Sequence, residues 1–326
     1  MKPYIYLTRK LPEEAYQKLV GRFDVHMWER EDQAVPHDVL LSQAAKADAL
    51  LTVVSDPVTQ EVFEAGKRLK VVANMAVGYD NIHVDAATEK GVYVCNTPDV
   101  LTETTADLTF ALLLAAARRV VEAAEFIKDG KWQSWSPFLL AGHDVHHKTI
   151  GIAGMGGIGE AVARRAKGFG MEILYHNRSR KPDAEEALGA QYCSFDELVE
   201  RSDFLVAMTP LTPDTKHLFN ADVFKKMKSS AIFINASRGA VADEAALAEA
   251  LKNREIAGAG LDVFAEEPIS ADHPLLALEN VTALPHIGSA TMETRIKMIE
   301  ICVDNIERVL TGQKPKTLVN TILLEP

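Results

Sequence analysis

The sequence predicts an α/β protein with parallel sheets, divided into two domains. Short apolar segments alternate with longer segments of helical periodicity along almost the whole chain, which is the pattern of strands joined by crossover helices. The chain has 326 residues, and at about 150 residues per domain this length indicates two domains, each able to bury its own core.

The composition excludes several classes of protein. The net charge of −11 opposes sequence-independent nucleic-acid binding and adsorption to an anionic membrane. The longest strongly apolar stretch, 108–117, is far shorter than a bilayer span, and Glu13 and Glu14 interrupt any signal-peptide core. The three cysteines show no metal-ligand spacing. We expect a reduced, cytoplasmic protein that binds no metal ion.

The predicted strands fall into two series. The first comprises 4–7, 25–28, 49–53, 71–74 and 92–95, and the second 149–153, 172–176, 204–208, 231–235, 260–263 and 281–284. A long helix from Thr102, a plausible N-cap, to about Ile127 separates the two series and is followed by an irregular segment, 131–147. A final helix covers about 291–310. We therefore predict a first lobe of 1–99, a second lobe of 100–288, and a C-terminal helix, within 289–326, that returns to the first lobe.

A glycine-rich loop follows the predicted strand 149–153. The glycines have the spacing GxGxxG, and a helical pattern begins directly after them. Such a strand–turn–helix unit lets a pyrophosphate approach the backbone and meet the amides at the helix N-terminus. A glycine-rich turn without a ligand is the alternative interpretation. The expected dinucleotide ligands are Gly154, Met155, Gly156, Gly157, Ile158 and Gly159.

The residues after the next strand indicate which dinucleotide is bound. An acidic residue that accepts from the ribose 2′-hydroxyl is expected about 20 residues after the glycine loop. This sequence has Asn177, Arg178, Ser179 and Arg180 instead, and these side chains suit a 2′-phosphate. We predict a preference for NADPH, with NADH also possible. A solvated basic turn with dual cofactor use is the alternative.

Three polar residues follow three strands of the second series. Arg238 comes after 231–235, Glu267 after 260–263, and His286 after 281–284. Each alone has an ordinary structural explanation, but the carboxyl ends of parallel strands meet at one edge, where ligands bind. The set suits hydride transfer to a 2-keto acid: His286 donates a proton, Glu267 orients and charges the imidazole, and Arg238 binds the substrate carboxylate.

With these residues in place, the chain resembles the D-isomer-specific 2-hydroxyacid dehydrogenases, in the glyoxylate/hydroxypyruvate reductase branch that includes 2-ketogluconate reductases. The resemblance covers essentially the full length and rests on several separate motifs. They are NMAVGYDNI at 74–82, the glycine loop, NASRG at 235–239, GLDVF at 260–264, Glu267-Pro268 and LPHIGSAT at 284–291.

The resemblance implies two Rossmann- or flavodoxin-like doubly wound domains with a cleft between them, the substrate domain being 1–99 plus 289–326 and the dinucleotide domain 100–288. It implies that Arg238, Glu267 and His286 are catalytic and that amides around Val77 and Gly78 bind the substrate carboxylate. Further residues expected at the substrate are Ser289 and Trp135, and at the cofactor Pro210, Ala236, Asp262 and Gly288.

The resemblance also implies a homodimer in which Trp135 reaches the partner's site, although a core or surface tryptophan is an alternative. The expected activity is NADPH-dependent reduction of glyoxylate, hydroxypyruvate and 2-ketogluconate to D-2-hydroxy acids. A 3-phosphoglycerate or D-lactate dehydrogenase and a dinucleotide-sensing binding protein remain as alternatives.

Overall fold

In the computed structural model of the protein, which describes residues 2–324, the chain divides into two units. The first contains the residues up to Leu101 together with those from Ala290, and the second runs from Thr102 to Ser289. Each unit contains one sheet, and every strand pair in both sheets is parallel. The predicted α/β class with parallel sheets is therefore confirmed.

The first unit is built on a five-stranded sheet in the order β2-β1-β3-β4-β5. Its strands are β1 (Tyr4–Leu7), β2 (Asp24–Met27), β3 (Ala49–Thr52), β4 (Val71–Asn74) and β5 (Tyr93–Cys95). Its helices are α1 (Glu13–Tyr16), α2 (His37–Ala44), α3 (Gln60–Ala65), α4 (Val84–Glu89) and α12 (Met292–Leu310), with a 3₁₀ turn at Thr321–Leu324.

Burial on both faces explains the apolar composition of the central strands β3 and β4, in which every residue is buried. Leu40, Leu50, Phe63 and Val72 belong to the core on one face. On α12, which contacts α1, β3 and β4, the buried residues recur with helical spacing. The C-terminal helix thus belongs to the first unit.

The second unit is built on a seven-stranded sheet in the order β12-β11-β10-β9-β6-β7-β8. Its strands are β6 (Thr149–Ala153), β7 (Glu172–His176), β8 (Gln191–Tyr192), β9 (Phe204–Ala207), β10 (Ile232–Asn235), β11 (Gly258–Leu261) and β12 (Val281–Ala283). Its helices are α5 (Thr102–Ala117), α6 (Val120–Lys128), α7 (Gly157–Gly168), α8 (Pro182–Leu188), α9 (Phe195–Arg201), α10 (Ala221–Lys226) and α11 (Glu244–Lys252), with 3₁₀ turns at Gly239–Val241 and Pro274–Ala277.

Successive residues of the central strands of this sheet enter two different cores. Phe233 packs on one face with Phe219 and Phe224, whereas its neighbours Ile232 and Ile234 pack on the other. The chain builds β6, β7 and β8 outward in one direction and then crosses to β9, so that the strand order reverses between β6 and β9. The carboxyl ends of strands at such a reversal are where open α/β sheets bind ligands.

The predicted continuous helix from Thr102 to Ile127 is wrong. The structure has two helices, α5 and α6, because Arg119 adopts a left-handed conformation with φ of 53°. The carbonyl of Ala117 at the end of α5 accepts from the backbone N–H of His143, 2.8 Å away. A residue from a distant segment thus donates to a carbonyl that has no partner within α5. The local sequence does not reveal this hydrogen bond. Thr102, which was predicted as the N-cap, is instead the first helical residue of α5. The two-residue strand β8 was not predicted.

Candidate active site

The glycine loop connects β6 to α7 and has the conformation that a pyrophosphate site requires. Gly154 has φ of 104°, and a Cβ atom on it would lie 2.6 Å from the carbonyl oxygen of Met208. Only glycine is compatible with both constraints. A Cβ on Gly156, in contrast, would meet no atom within 4 Å. The loop therefore packs tightly on β9 on one side and leaves open space on the other.

Several groups around this loop suit a bound dinucleotide. The first amides of α7 have no acceptor within the helix, and the helix dipole favours an anion there. Within residues 2–324, the buried Oγ1 of Thr209 and the buried Oδ2 of Asp262 lack a hydrogen-bond partner. Thr209 directly follows Met208, against which Gly154 packs. Buried polar atoms ordinarily have partners, so the hydroxyl of Thr209, which lies beside the loop, is available to a ligand.

The four residues after β7 differ from one another in their environment. Arg180 forms a bidentate pair with Glu185, at 2.5 and 3.1 Å, and Asn177 donates through Nδ2 to the carbonyl of Ser179. Arg178 is exposed, and its guanidinium has no partner in the described part of the chain. Arg178 is therefore the side chain of this segment that is free to bind a phosphate.

The turn after β10 is held by Asn235, which is 1% exposed. Its Oδ1 accepts from the backbone N–H and the hydroxyl of Ser237, and its Nδ2 donates to the carbonyl of Arg238. The next residue, Gly239, lies against the segment that carries Glu267: a Cβ there would come within 1.8 Å of the Phe264 carbonyl carbon. The turns that carry Arg238 and Glu267 are thus in direct backbone contact.

Among the predicted catalytic residues, His286 and Glu267 form the shortest contact between ionisable side chains. Nδ1 of His286 lies 2.6 Å from Oε2 of Glu267, and both side chains are 28% exposed. His286 has φ of 53°, an uncommon conformation for a residue with a side chain, of the kind that persists where its surroundings impose it. Here Asp262 imposes it, because its carbonyl accepts from the N–H of His286 and its Oδ1 accepts from the N–H of Ile287, each at 2.8 Å.

The charges of His286 and Arg238 stabilise the ionised form of Glu267. Burial raises the pKa of Glu267, but the hydrogen bond and charge of His286, the N–H of Phe264 and the charge of Arg238 outweigh burial and hold this pKa below its ordinary value. Because an ionised carboxylate only accepts, Nδ1 of His286 is the donor in their hydrogen bond, and Nε2 remains for a ligand. At Asp262, burial dominates and raises the pKa.

The other predicted residues have varied surroundings. Met155 is fully buried and Ile158 packs on the same core, so these two residues offer a dinucleotide their backbone rather than their side chains. Trp135 is 78% exposed. Gly288 and Ala236 are buried, Ser289 is half-buried and Pro210 is exposed. In the first unit, Val77 and Tyr79 are exposed and Gly78 is half-buried in the turn after β4.

A cavity of about 540 Å³ in the second unit lies at the opposite edge of the sheet from Arg238, Glu267 and His286. Its lining includes Gly258 and Val281, the first residues of β11 and β12, whereas the three predicted residues follow strand ends. The described residues contain no cluster of three potential metal ligands, and no helix within 2–324 has the length and apolarity to span a membrane.

Sequence reasoning missed Thr209, Asn74 and Asn96. Thr209 follows β9 at the point where the strand order reverses, a position that becomes visible only with the sheet order. Asn74 and Asn96 hydrogen-bond to the turn that contains Val77 and Gly78. Asn74 is the first residue of the motif at 74–82, and an asparagine at the end of a predicted apolar strand is the signal that could have identified it.

Comparison with known proteins shows which family the chain resembles. Residues 110–288 match the family model described as D-isomer specific 2-hydroxyacid dehydrogenase, NAD binding domain. A glyoxylate reductase of Korarchaeum cryptofilum is 50% identical over 98% of this chain and 96% of its own length.

Solved structures resemble the chain over nearly its full length. A Thermus thermophilus protein is 44% identical with a TM-score of 0.90, over 97% of this chain and 99% of its own. An NADPH-dependent glyoxylate/hydroxypyruvate reductase of Sinorhizobium meliloti, solved with NADP and malonate, is 34% identical with a TM-score of 0.84, over 98% and 97% of the two chains. The chain belongs to the D-isomer-specific 2-hydroxyacid dehydrogenases, a family of oxidoreductases that use a nicotinamide dinucleotide.

Proposed function

We propose that this protein reduces small 2-keto acids to D-2-hydroxy acids with NADPH, and that glyoxylate and hydroxypyruvate are its main substrates. The contact of 2.6 Å between His286 and Glu267 is the observation that carries the proposal, because it supplies a proton donor whose charge is stabilised. The relatives named glyoxylate reductase support glyoxylate, and the Sinorhizobium enzyme supports hydroxypyruvate. The resemblance to 2-ketogluconate reductases makes 2-ketogluconate a further candidate substrate.

The proposed role of His286 is to protonate the carbonyl oxygen. Reduced nicotinamide, when bound, supplies the hydride that adds to the carbonyl carbon. Negative charge then develops on the oxygen, and Nε2 of His286 gives up its proton to it. Glu267 stays ionised because its pKa is lowered, and it stabilises the imidazolium through Nδ1.

Arg238 and the turn after β4 are proposed to hold the substrate. The guanidinium of Arg238 binds the carboxylate of the 2-keto acid and polarises its carbonyl. The amides of Val77 and Gly78 are proposed as further ligands of that carboxylate. Ser289 and Trp135 complete the proposed substrate residues, with Trp135 acting on the neighbouring subunit of a homodimer.

The proposed dimer rests on exposed apolar residues of α6 and the segment 131–147. Ile127 is 57% exposed, Trp135 78% and Phe138 85%. Large exposed apolar side chains, aromatic ones above all, are enriched at protein–protein interfaces.

The proposed cofactor preference rests on Arg178. Asp and Glu are absent from the four residues after β7, so nothing there repels a 2′-phosphate, and the unpaired guanidinium of Arg178 can bind one. The proposed dinucleotide ligands are the glycine loop, Arg178 with its neighbours, Thr209, Pro210, Ala236, Asp262 and Gly288.

The test of the function is His286→Ala in an NADPH oxidation assay with glyoxylate. Removal of a general acid should lower kcat by about 10²- to 10⁴-fold, while the affinity for NADPH stays unchanged. His26→Ala is the matched control, because His26 also pairs with a carboxylate, that of Asp24 at 3.0 Å, on the surface of the first unit. Its kcat should equal that of the parent protein.

Two outcomes would contradict the proposal. Full activity of the His286→Ala variant would exclude the proposed proton donor. Binding of NADPH without turnover of glyoxylate, hydroxypyruvate, pyruvate or 2-ketogluconate would identify a dinucleotide-sensing protein instead of an enzyme.

A further inference from the structure

The turn after β4 presents three consecutive backbone N–H groups without acceptors. Within the described residues, the amides of Val77, Gly78 and Tyr79 donate to no protein atom. Val77 is 36% and Tyr79 44% exposed, so the turn lies at the surface of the first unit. Successive free amides of this kind form anion-binding sites.

The carbonyls of the same turn, in contrast, are all held. The carbonyl of Ala76 accepts from the N–H of Thr97 at 2.8 Å. That of Val77 accepts from Nδ2 of Asn96 at 2.9 Å, and that of Gly78 accepts from Nδ2 of Asn74 at 3.1 Å. Three successive peptide groups are therefore each fixed from their carbonyl side.

A fixed carbonyl fixes the N–H of the following residue. In a trans peptide the C=O of one residue and the N–H of the next lie in one plane and point in opposite directions. The bond to Ala76 thus orients the N–H of Val77, the bond from Asn96 orients that of Gly78, and the bond from Asn74 orients that of Tyr79. The three N–H groups point away from the groups that hold the carbonyls.

Asn74 is itself held on both sides. It is fully buried, its Oδ1 accepts from the hydroxyl of Thr52 at 3.0 Å, and its Nδ2 also donates to Oδ1 of Asn81 at 3.1 Å. Asn81 in turn donates to the carbonyls of Val53 and Asp56 after β3. The side chains in this network are neutral and have partners, so the amides are oriented before any ligand arrives, and ligand binding requires little reorganisation.

We propose that Asn74 and Asn96 are positioning residues for the substrate carboxylate, and that the N–H of Tyr79 is a third donor beside those of Val77 and Gly78. Neither asparagine touches the carboxylate in this proposal; each acts through the peptide group whose carbonyl it holds. The inference rests on the proposed function in one respect, namely that the anion at this turn is the carboxylate of a 2-keto acid.

The test compares Asn96→Ala and Asn74→Ala with the parent protein, each loaded with NADPH. Calorimetry with oxalate, an unreactive dicarboxylate, measures anion binding without turnover, and KM and kcat for glyoxylate are measured in parallel. Because an oriented donor is lost, the Kd for oxalate and the KM for glyoxylate should rise together by about five- to tenfold. The kcat, the Kd for NADPH and the pH profile should stay close to those of the parent.

Asn96→Gln keeps the donor and should recover part of the lost affinity. Asn96 is only half-buried, so its variants test the proposal even if Asn74→Ala fails to fold. The matched control is Asn253→Ala, at the end of α11 in the second unit, which should change neither constant.

Two results would overturn the inference. Unchanged oxalate binding in Asn96→Ala would show that the orientation of the amides does not depend on this side chain. A joint fall in oxalate affinity, NADPH affinity and Tm would show a purely structural role. Weaker oxalate binding by the variants, with no reduction of any 2-keto acid by the parent, would support the positioning role while rejecting the proposed function.

Discussion

Both sheets present backbone N–H groups beyond the carboxyl ends of their strands, but they do so by different means. In the second unit the amides belong to the first turn of α7, and the neighbouring strand ends carry the ionisable residues Arg238, Glu267 and His286. In the first unit the amides belong to an irregular turn, which the neutral side chains of Asn74 and Asn96 hold in place.

The difference teaches which kind of change each edge tolerates. A helix N-terminus requires only a backbone path that lets an anion approach, so its critical positions are glycines. An irregular turn has no helix to align its amides, so it depends on particular side chains. The sheet edge of the second unit should therefore be sensitive to any added Cβ and to pH. The sheet edge of the first unit should be sensitive to the loss of a side-chain amide but not to pH.

Among the changes that compare the two edges, the largest effect is expected from an added Cβ in the glycine loop. In Gly156→Ala the methyl group would meet no protein atom within 4 Å, so the fold should be intact. It would occupy the space proposed for the pyrophosphate, and we expect NADPH affinity to fall about hundredfold, or about 2.8 kcal/mol. Fluorescence titration of NADPH measures this loss.

Gly154→Ala provides the contrast within the same loop. Its φ of 104° and the approach of 2.6 Å to Met208 should lower both Tm and NADPH affinity, whereas Gly156→Ala should lower affinity alone. An unchanged NADPH affinity in Gly156→Ala would show that the dinucleotide does not bind over this loop.

A smaller but more specific effect is expected from Glu267→Gln. The lowered pKa of Glu267 means that its stabilising charge is present above its ordinary pKa of about 4.3 and is lost only as the pH falls through the lower folded value. Across the neutral range the carboxylate therefore supports the imidazolium. Without it, the rate of reduction should fall about tenfold across the neutral range, and the acid limb of the pH profile, where Glu267 gains its proton, should shift to lower pH.

The pH dependence of kcat/KM for glyoxylate measures this shift. Asn96→Ala should raise KM without moving the profile, because neither the Asn96 side chain nor the backbone amides that it positions titrate. If the pH profile of kcat/KM moved equally in Glu267→Gln and Asn96→Ala, the proposed distinction between an ionisable edge in the second unit and a neutral edge in the first would be wrong.

The smallest effect is expected from Arg178→Ala. Loss of one exposed charge-assisted contact should lower kcat/KM for NADPH by about five- to tenfold and leave that for NADH unchanged. Arg180→Ala should have less effect, because Glu185 already binds that guanidinium through two hydrogen bonds. A parent protein that prefers NADH would contradict the predicted cofactor preference.

Much of the fold could be predicted from sequence because its strands are buried on both faces. Strands β1, β4, β6 and β7 begin and end at the predicted residues, since each is a short apolar segment with clear boundaries. The candidate residues Arg238, Glu267 and His286 could be placed for a related reason: in a parallel sheet, a position directly after a strand defines the edge at which a side chain lies.

The remaining features depend on contacts between distant segments. The break at Arg119 occurs in a stretch without glycine or proline, where the N–H of His143 binds the carbonyl of Ala117 in the last turn of α5. The bonds from Asn74 and Asn96 to the turn of Val77 and Gly78 also depend on the exact path of the backbone. No periodicity in the sequence encodes such side chain-to-backbone bonds.

The backbone contact at Gly239 has a consequence for the loops that carry Arg238 and Glu267. Because the Phe264 carbonyl leaves no room for even a methyl group on Gly239, the two loops cannot acquire bulk at their junction without being driven apart. The spacing between the Arg238 and Glu267 turns is therefore set by backbone contact and not by side chains.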